Sequence, residues 1–162
     1  MVEGHIHCRV AAPGDSAGIF GVLAEVAPEI PLLIDTRERR KAVSKIIDEC
    51  ISTGESWVAT DGGEVVVGFC LVAPDKMERF QHDNHALHLP YAGVSNSYRQ
   101  QGIFHALIRQ IKDRGAPLTA IVKAGNQHQI AALLQRFGFE MSAEYPQTEV
   151  HLKWQPKAEK SN

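Results

Sequence analysis

The stretch from Val94 to Phe104, Val-Ser-Asn-Ser-Tyr-Arg-Gln-Gln-Gly-Ile-Phe, is where residue types and spacing first point to chemistry. A polar turn containing Gly102 stands between an apolar strand and a helix with Ile103, Phe104, Leu107, Ile108 and Ile111 on one face. Such a turn leaves backbone N–H groups at the helix start without partners. Together with the positive end of the helix dipole, these donors suit an anion such as a phosphate. Gly102 adds no side chain to keep a ligand off the backbone. A second group of interest lies upstream, where His82, His85 and His88 surround the start of the strand. An imidazole, with an unperturbed pKa of about 6.5, suits the task of taking a proton near neutrality. Read on its own, the turn is also a plain strand–turn–helix with a capping glycine, and His88 is also a residue that packs at a strand edge.

The elements that must position these groups follow from pattern. His5 to Val10 alternates and predicts a first strand with Ile6, Cys8 and Val10 facing one way. Asp15 is placed to cap a helix with Ile19, Val22, Leu23 and Val26 on one face. Pro28 and Pro31 break the chain, and Asp35 with Glu38 predicts a capping box for a helix with Val43, Ile46, Ile47, Cys50 and Ile51 inward. Arg37, Arg39, Arg40 and Lys41 on its other face read as a solvated surface, with Glu38, Asp48 and Glu49 nearby. Glu55 to Thr60 and Val65 to Val72 predict two strands around Asp61-Gly62-Gly63. Pro74 to Asn84 reads as a loop, and Ala86 to Val94 as the strand feeding the turn. Gly115 and Pro117 end the next helix. Thr119 to Val122 is a buried strand, Asn126 caps a helix with Ile130, Leu133, Leu134 and Phe137 inward, and Gly138 stops it. Two strands follow, Met141 to Glu144 and Glu149 to Trp154.

Three consecutive strands imply an antiparallel meander, and the strand–helix–strand unit around Gly102 implies a parallel pair. The expectation is an α/β protein with a mixed sheet of about seven strands and about four helices on its faces. Where a parallel pair diverges, a cleft opens at the strand ends.

Arg99-Gln100-Gln101-Gly102-Ile103-Phe104 resembles the Q/R-x-x-G-x-G/A signature of the GNAT superfamily of acyl-CoA-dependent N-acetyltransferases. Val94, Tyr98, the opening Arg9 to Asp15 and the segment from Asn126 to Gly138-Phe139 fit the same family, and so does the element order. The likeness covers nearly the whole chain. Phe104 departs from it, standing where the family has glycine or alanine. The resemblance implies acetyl-CoA as co-substrate, with its pyrophosphate on the backbone from Gln100 to Phe104. It implies pantetheine along Val94 and Asn96, Arg99 in the signature, and Asn126 near the arm. Its activity would be transfer of acetyl to a primary amine by direct attack in a ternary complex.

A protonated amine is no nucleophile, so a base is needed, and His88 is the candidate. The run His88-Leu89-Pro90-Tyr91-Ala92-Gly93-Val94 resembles the matching stretch of the arylalkylamine N-acetyltransferases, with His88 at the first of their two strand histidines and Pro90 at the second. Leu134 stands where many members hold the tyrosine thought to protonate the leaving thiolate, and leucine has no proton to give. Tyr91 and Tyr145 are substitutes that spacing does not select. The alternative function is a GNAT-fold module that binds acyl-CoA as a sensor or scaffold without turnover.

Composition bounds the partners. The 162 residues are 44% apolar and 22% charged with net charge -2, which suits one globular domain over 1–155 with a polar tail over 156–162 and gives no electrostatic case for nucleic acid. No apolar run approaches the roughly 20 residues that span a bilayer. The start lacks the basic and apolar regions of a signal peptide, and Cys8, Cys50 and Cys70 are unpaired in spacing, so the expected setting is the cytoplasm. His5 with His7, and His82-x-x-His85-x-x-His88, have ligand-like spacing. They lack the paired Cys or carboxylate that zinc sites recruit, so no metal is expected. The expected acceptor is a small-molecule or peptide amine. A homodimer remains compatible with the sequence.

Overall fold

A computed structural model of the chain describes residues 5–28, 32–62, 64–76, 85–123, 131–145 and 149–156, with backbone alone at 123 and 143–145. Strand β1 (Ile6–Val10) leads through a 3₁₀ turn at Pro13–Asp15 into helix α1 (Ser16–Val26), and helix α2 (Arg37–Ser52) follows. Strands β2 (Trp57–Asp61), β3 (Val65–Cys70) and β4 (Ala73–Pro74) come next. After them stand β5 (Leu87–His88) and β6 (Ala92–Val94). Helix α3 (Ile103–Lys112), strand β7 (Leu118–Lys123), helix α4 (Ala132–Arg136), β8 (Glu140–Tyr145) and β9 (Glu149–Trp154) complete the order.

The α/β class, the meander and the parallel pair are as the sequence implies, and the four helices among the described residues stand where apolar spacing puts them. β2, β3 and β6 run antiparallel in turn, and β5 pairs parallel with β7 at Leu87↔Leu118 and His88↔Thr119. Among the described residues the strands number nine because two expectations fail locally. Ala73 and Pro74, at the edge of the expected loop, pair with His88 and Leu87. The strand expected from Ala86 to Val94 breaks in two. Leu89 N–H still reaches the Thr119 carbonyl at 2.8 Å, whereas the Tyr91 carbonyl accepts from Leu71 N–H at 3.0 Å. Between them stands Pro90, which has no N–H to give either neighbour. The chain therefore passes from one sheet, β4-β5-β7-β9-β8, to the other, β1-β2-β3-β6.

Two helix starts also differ. The Asp15 side chain does not cap α1; it accepts from Ala12 N–H at 2.8 Å and pairs with Arg9. Thr36 caps α2, its hydroxyl accepting from Arg39 N–H at 3.1 Å, while Asp35 pairs with the Arg39 side chain at 2.6 Å. Asp35 is one residue too early to reach the first free N–H groups of that helix.

Burial follows the periods. Ile103, Leu107, Ile108 and Ile111 of α3 pack with Leu87, Leu89, Leu118, Ala120, Val150 and Leu152 in one core. Ile19, Leu23 and Val26 of α1 and Ile47 and Ile51 of α2 pack with Val58, Phe69 and Leu71 in a second. A Cβ on Gly93 would meet Val26 Cγ2 at 3.0 Å, so glycine is what lets α1 lie close over β6. Among the described residues no helix is long and apolar enough to cross a membrane.

Candidate functional site

The candidate site lies where the chain passes from one sheet to the other. β6 is bonded to β3 on one side, and β7 is bonded to β9 along its length but to β5 only at its start. Among the described residues, β7 from Ala120 onward therefore has no strand partner on the β6 side. The facing edges of β6 and β7 bound a slot with backbone N–H and C=O groups along it. An extended chain bearing amides can pair with such an edge as an added strand.

The turn that caps this slot is built by close local bonds. After Val94 the chain makes a 3₁₀ turn at Asn96–Tyr98, and the Arg99 Nε–H donates to the Val94 carbonyl at 3.2 Å. The Tyr98 hydroxyl donates to Asp61 Oδ2 at 2.5 Å, which ties the turn to the end of β2 and raises the Tyr98 pKa. Gln100 (φ 63°) and Gly102 (φ 77°, ψ 11°) are both left-handed. Left-handed residues in a turn can direct neighbouring N–H groups toward one hollow, where an anion can bind. The first α3 bond in this region is Ala106 N–H to the Gly102 carbonyl at 3.0 Å, so the amides of Ile103, Phe104 and His105 precede the helical ladder. A Cβ on Gly102 would meet no atom within 4 Å. The glycine thus faces open space at the mouth of the turn.

Of the residues expected to hold the cofactor, Val94, Asn96, Arg99, Gln100, Gln101, Gly102, Ile103 and Phe104 lie together on this β6–turn–α3 unit. Val94 and Ile103 are buried, and Arg99, Gln100, Gln101 and Gly102 are exposed. Phe104, half-buried, packs against Phe137 after α4 with ring centroids 5.6 Å apart. Its large side chain is directed to the α3–α4 contact, where the family's small residue would leave space to fill. Asn126 lies outside the described residues, as does His82. Leu134 is buried in the α3-side core at 2% exposure.

His88 sits beside the slot. Its neighbours Leu87 and Leu89 are buried toward α3, so the imidazole projects from the opposite face of the sheet. Val94 packs with Ile103 and Leu107 on the α3 side. The even spacing of His88 and Val94 would have placed them on one face, and the break at Pro90 is what reverses it. On the His88 face also stand Thr119 and Ile121 of β7 and His151 and Lys153 of β9, alternating with the buried Leu118, Ala120, Val122, Val150 and Leu152. His88 Nδ1 lies 3.1 Å from Thr119 Oγ1, and the Thr119 hydroxyl donates to Asp75 Oδ2 at 2.5 Å. His151 pairs with Glu149 at 2.8 Å. Burial holds the His88 pKa below the ordinary imidazole value; Asp75 pulls it up and His151 adds to the depression. Sequence reading missed Asp75 and Thr119. A lone threonine inside the apolar run 118–122 was the available signal, and Asp75 gave none.

The cysteines are not prepared for covalent chemistry. Burial raises all three thiol pKa values, that of Cys50 to about 11, and the thiolate is the reactive form. No group of three or more metal-ligating side chains occurs among the described residues.

A family model described as acetyltransferase (GNAT) domain matches residues 52–141. No curated protein sequence matches the chain. Solved structures do resemble it. The protein PH1933 of Pyrococcus horikoshii OT3 aligns with TM-score 0.76 at 16% identity, covering 95% of this chain and 100% of that one. PaiA N-acetyltransferase from Thermoplasma acidophilum, solved with coenzyme A, aligns with TM-score 0.68 at 12% identity, covering 93% and 98%. Naa50 of Arabidopsis thaliana, solved with the bisubstrate analogue CoA-Ac-MVNAL, aligns with TM-score 0.61 at 16% identity, covering 91% and 97%. These likenesses speak for the fold, and the family model, which spans more than half of the sequence, goes further: the chain belongs to the GNAT family of acetyltransferases.

Proposed function

We propose that the protein transfers an acetyl group from acetyl-CoA to a primary amine, a small molecule or a peptide, by direct attack in a ternary complex. The observation that carries this reading is the separation of β6 and β7 into two sheets, followed by the turn with left-handed Gln100 and Gly102. The amides from Gln100 to Phe104 hold the pyrophosphate, and Arg99 adds positive charge beside it. The pantetheine amides pair with the edge of β6 at Val94, with Asn96 beyond and Asn126 near the arm. Coenzyme A in the similar PaiA structure and the bisubstrate analogue CoA-Ac-MVNAL in the similar Naa50 structure support the same use of the fold.

The thioester then lies at the break between the sheets, with His88 beside it. The acceptor ammonium gives one proton to His88 Nε2, the lone pair so freed attacks the acetyl carbonyl carbon, the C–S bond breaks, and the nitrogen passes its second proton to water as the amide forms. CoA leaves as thiolate and is protonated by water, since Leu134 has no proton to offer. The raised thiol pKa values of the three cysteines favour this direct route over an acyl-cysteine.

Thioester consumption with a panel of amines, read as free thiol, tests the reading, with calorimetry of CoA binding beside it. Turnover with any amine above the hydrolysis background is the expected result. CoA binding without turnover across small amines, polyamines and peptide N-termini would favour the sensor or scaffold role, which Leu134 and Phe104 keep open.

A further inference from the structure

We infer that Thr119 and Asp75 are positioning residues for His88, holding its imidazole with the proton on Nδ1 and the lone pair of Nε2 open to the substrate amine. This deepens the proposed function and rests on its assignment of His88 as base.

Three strands bring these groups together, and none of the contacts is local in sequence. β4 pairs with β5 and β5 with β7, so that Asp75, one residue past β4, His88 and Thr119 converge where β5 ends. The Asp75 backbone is fixed there by its N–H bond to the Ala86 carbonyl at 3.0 Å. A threonine hydroxyl has one proton, and a carboxylate only accepts. The proton between Thr119 Oγ1 and Asp75 Oδ2 must therefore come from the threonine. That leaves Oγ1 with lone pairs alone for His88, so the 3.1 Å contact forms only if Nδ1 carries the hydrogen. A neutral imidazole with Nδ1–H has its lone pair on Nε2. The far end of the ring, away from Thr119, is then the proton acceptor. When Nε2 takes a proton from the amine, Nδ1–H still donates to Thr119, and no second proton has to move.

On the same sheet face stand His151 with its partner Glu149 and, in register with Thr119, Lys153. His151 shifts the energy of the imidazolium without choosing between the two neutral forms. The direct bond makes that choice, as outer partners do for histidines whose second nitrogen does the work.

The test separates this assignment from that of the base. Thr119→Val keeps the shape and removes the hydroxyl, Thr119→Ser restores it, and Asp75→Ala frees the hydroxyl proton to face Nδ1. Imidazole ¹⁵N shifts of His88, read without substrate above its pKa, should show Nδ1–H in the parent and Thr119→Ser. Thr119→Val and Asp75→Ala should move the population toward Nε2–H. The kcat of Thr119→Val should fall about tenfold with the KM for acetyl-CoA unchanged, and Thr119→Ser should recover most of it. Nε2–H in the parent, or the same tautomer in all four proteins, would overturn the inference whatever the kinetics. If His88→Gln is fully active while the tautomer shifts as described, the base assignment fails and the positioning bond stands. Asp75→Ala leaves β7 untouched, so it decides the matter if Thr119→Val does not fold.

Discussion

Glu25 and Asn96 are joined by a 2.7 Å hydrogen bond, the Asn96 backbone N–H donating to Glu25 Oε1, and the Ser95 hydroxyl donates to the same carboxylate at 2.9 Å. Helix α1 thereby holds the first residues of the turn that leads to Gly102. The bond is exposed, and its net worth is about 1 kcal/mol, or roughly fivefold in an equilibrium. Glu25→Ala should weaken CoA binding by about that factor through a looser turn, with little change in Tm, while Glu25→Gln, which keeps an acceptor oxygen, should recover most of it. Calorimetry on the three proteins measures this. Tighter binding in Glu25→Ala would mean that the carboxylate acts by repelling the phosphates and does not act by ordering the turn.

Gly102 combines φ of 77° with open space beyond its Cα. A β-branched residue there costs about 1–2 kcal/mol in backbone strain and places its bulk where the anion should approach. Gly102→Val should lower CoA affinity at least about tenfold and lower the Tm by a few degrees. Gly102→Asn separates the two effects, because asparagine tolerates the left-handed region. It should keep the parent Tm and still bind CoA more weakly. Parent-like affinity in both variants would remove the phosphate site from this turn.

Arg9 and Asp15 form a two-pronged pair at 2.7 and 2.8 Å that clasps the end of β1 to the turn before α1. Hydrogen bonding to Arg9 is the first cause of a depressed Asp15 pKa. Burial opposes it, and the Ala12 N–H and the Arg9 charge add to it. A carboxylate with a depressed folded pKa contributes stability that is present above its unfolded value of about 3.9 and is lost as pH falls through the folded value. Arg9→Met leaves the Asp15 side chain, 8% exposed, without its main partner. It should cost about 1–3 kcal/mol at pH 7. Urea unfolding at pH 7 and at pH 3 should show the gap to the parent shrinking in acid. An equal gap at both values would assign the loss to packing of the Arg9 stem.

How much of this was legible beforehand divides along local and non-local causes. The turn and α3 were readable because Gly102, the apolar period and Gly115 act within a few residues of each other. The break at Pro90 was only half readable. Proline announces a missing N–H, but which sheet Leu89 and Tyr91 join depends on β7 and β3, far away in sequence. The reversal of His88 relative to Val94 follows from that break and was hidden with it. Asp75 and Thr119 were out of reach for the same reason, since 44 residues separate them. The α2 cap was missed by a single position, because aspartate and threonine both serve and geometry chooses between Asp35 and Thr36, whereas Asp15 stands at the start of α1 with its side chain turned back to Ala12 and Arg9. Leu134 read as a lost acid from a family pattern, and its near-complete burial gives the leucine a packing reason of its own.

His88 supplies the last prediction, and its sign follows from burial. Desolvation favours the neutral ring, so its pKa lies below the ordinary imidazole value and the base is ready at pH 7. The acid limb of kcat/KM should therefore fall below about pH 6.5, as a neutral His88 is lost. His88→Gln should lower kcat/KM at least about tenfold at pH 7 and abolish that limb. The loss should shrink toward pH 9, where more of the acceptor amine is already deprotonated and needs no base. Stability should move with it. A histidine with a depressed folded pKa binds fewer protons folded than unfolded, so the parent loses stability as pH falls below about 6.5, and His88→Gln removes that slope. Thiol-release kinetics and thermal unfolding between pH 5 and 9 read both. A flat rate profile in the parent, with His88→Gln fully active, would leave the stability slope as the only consequence of His88 and return it to a packing role at the junction of the two sheets.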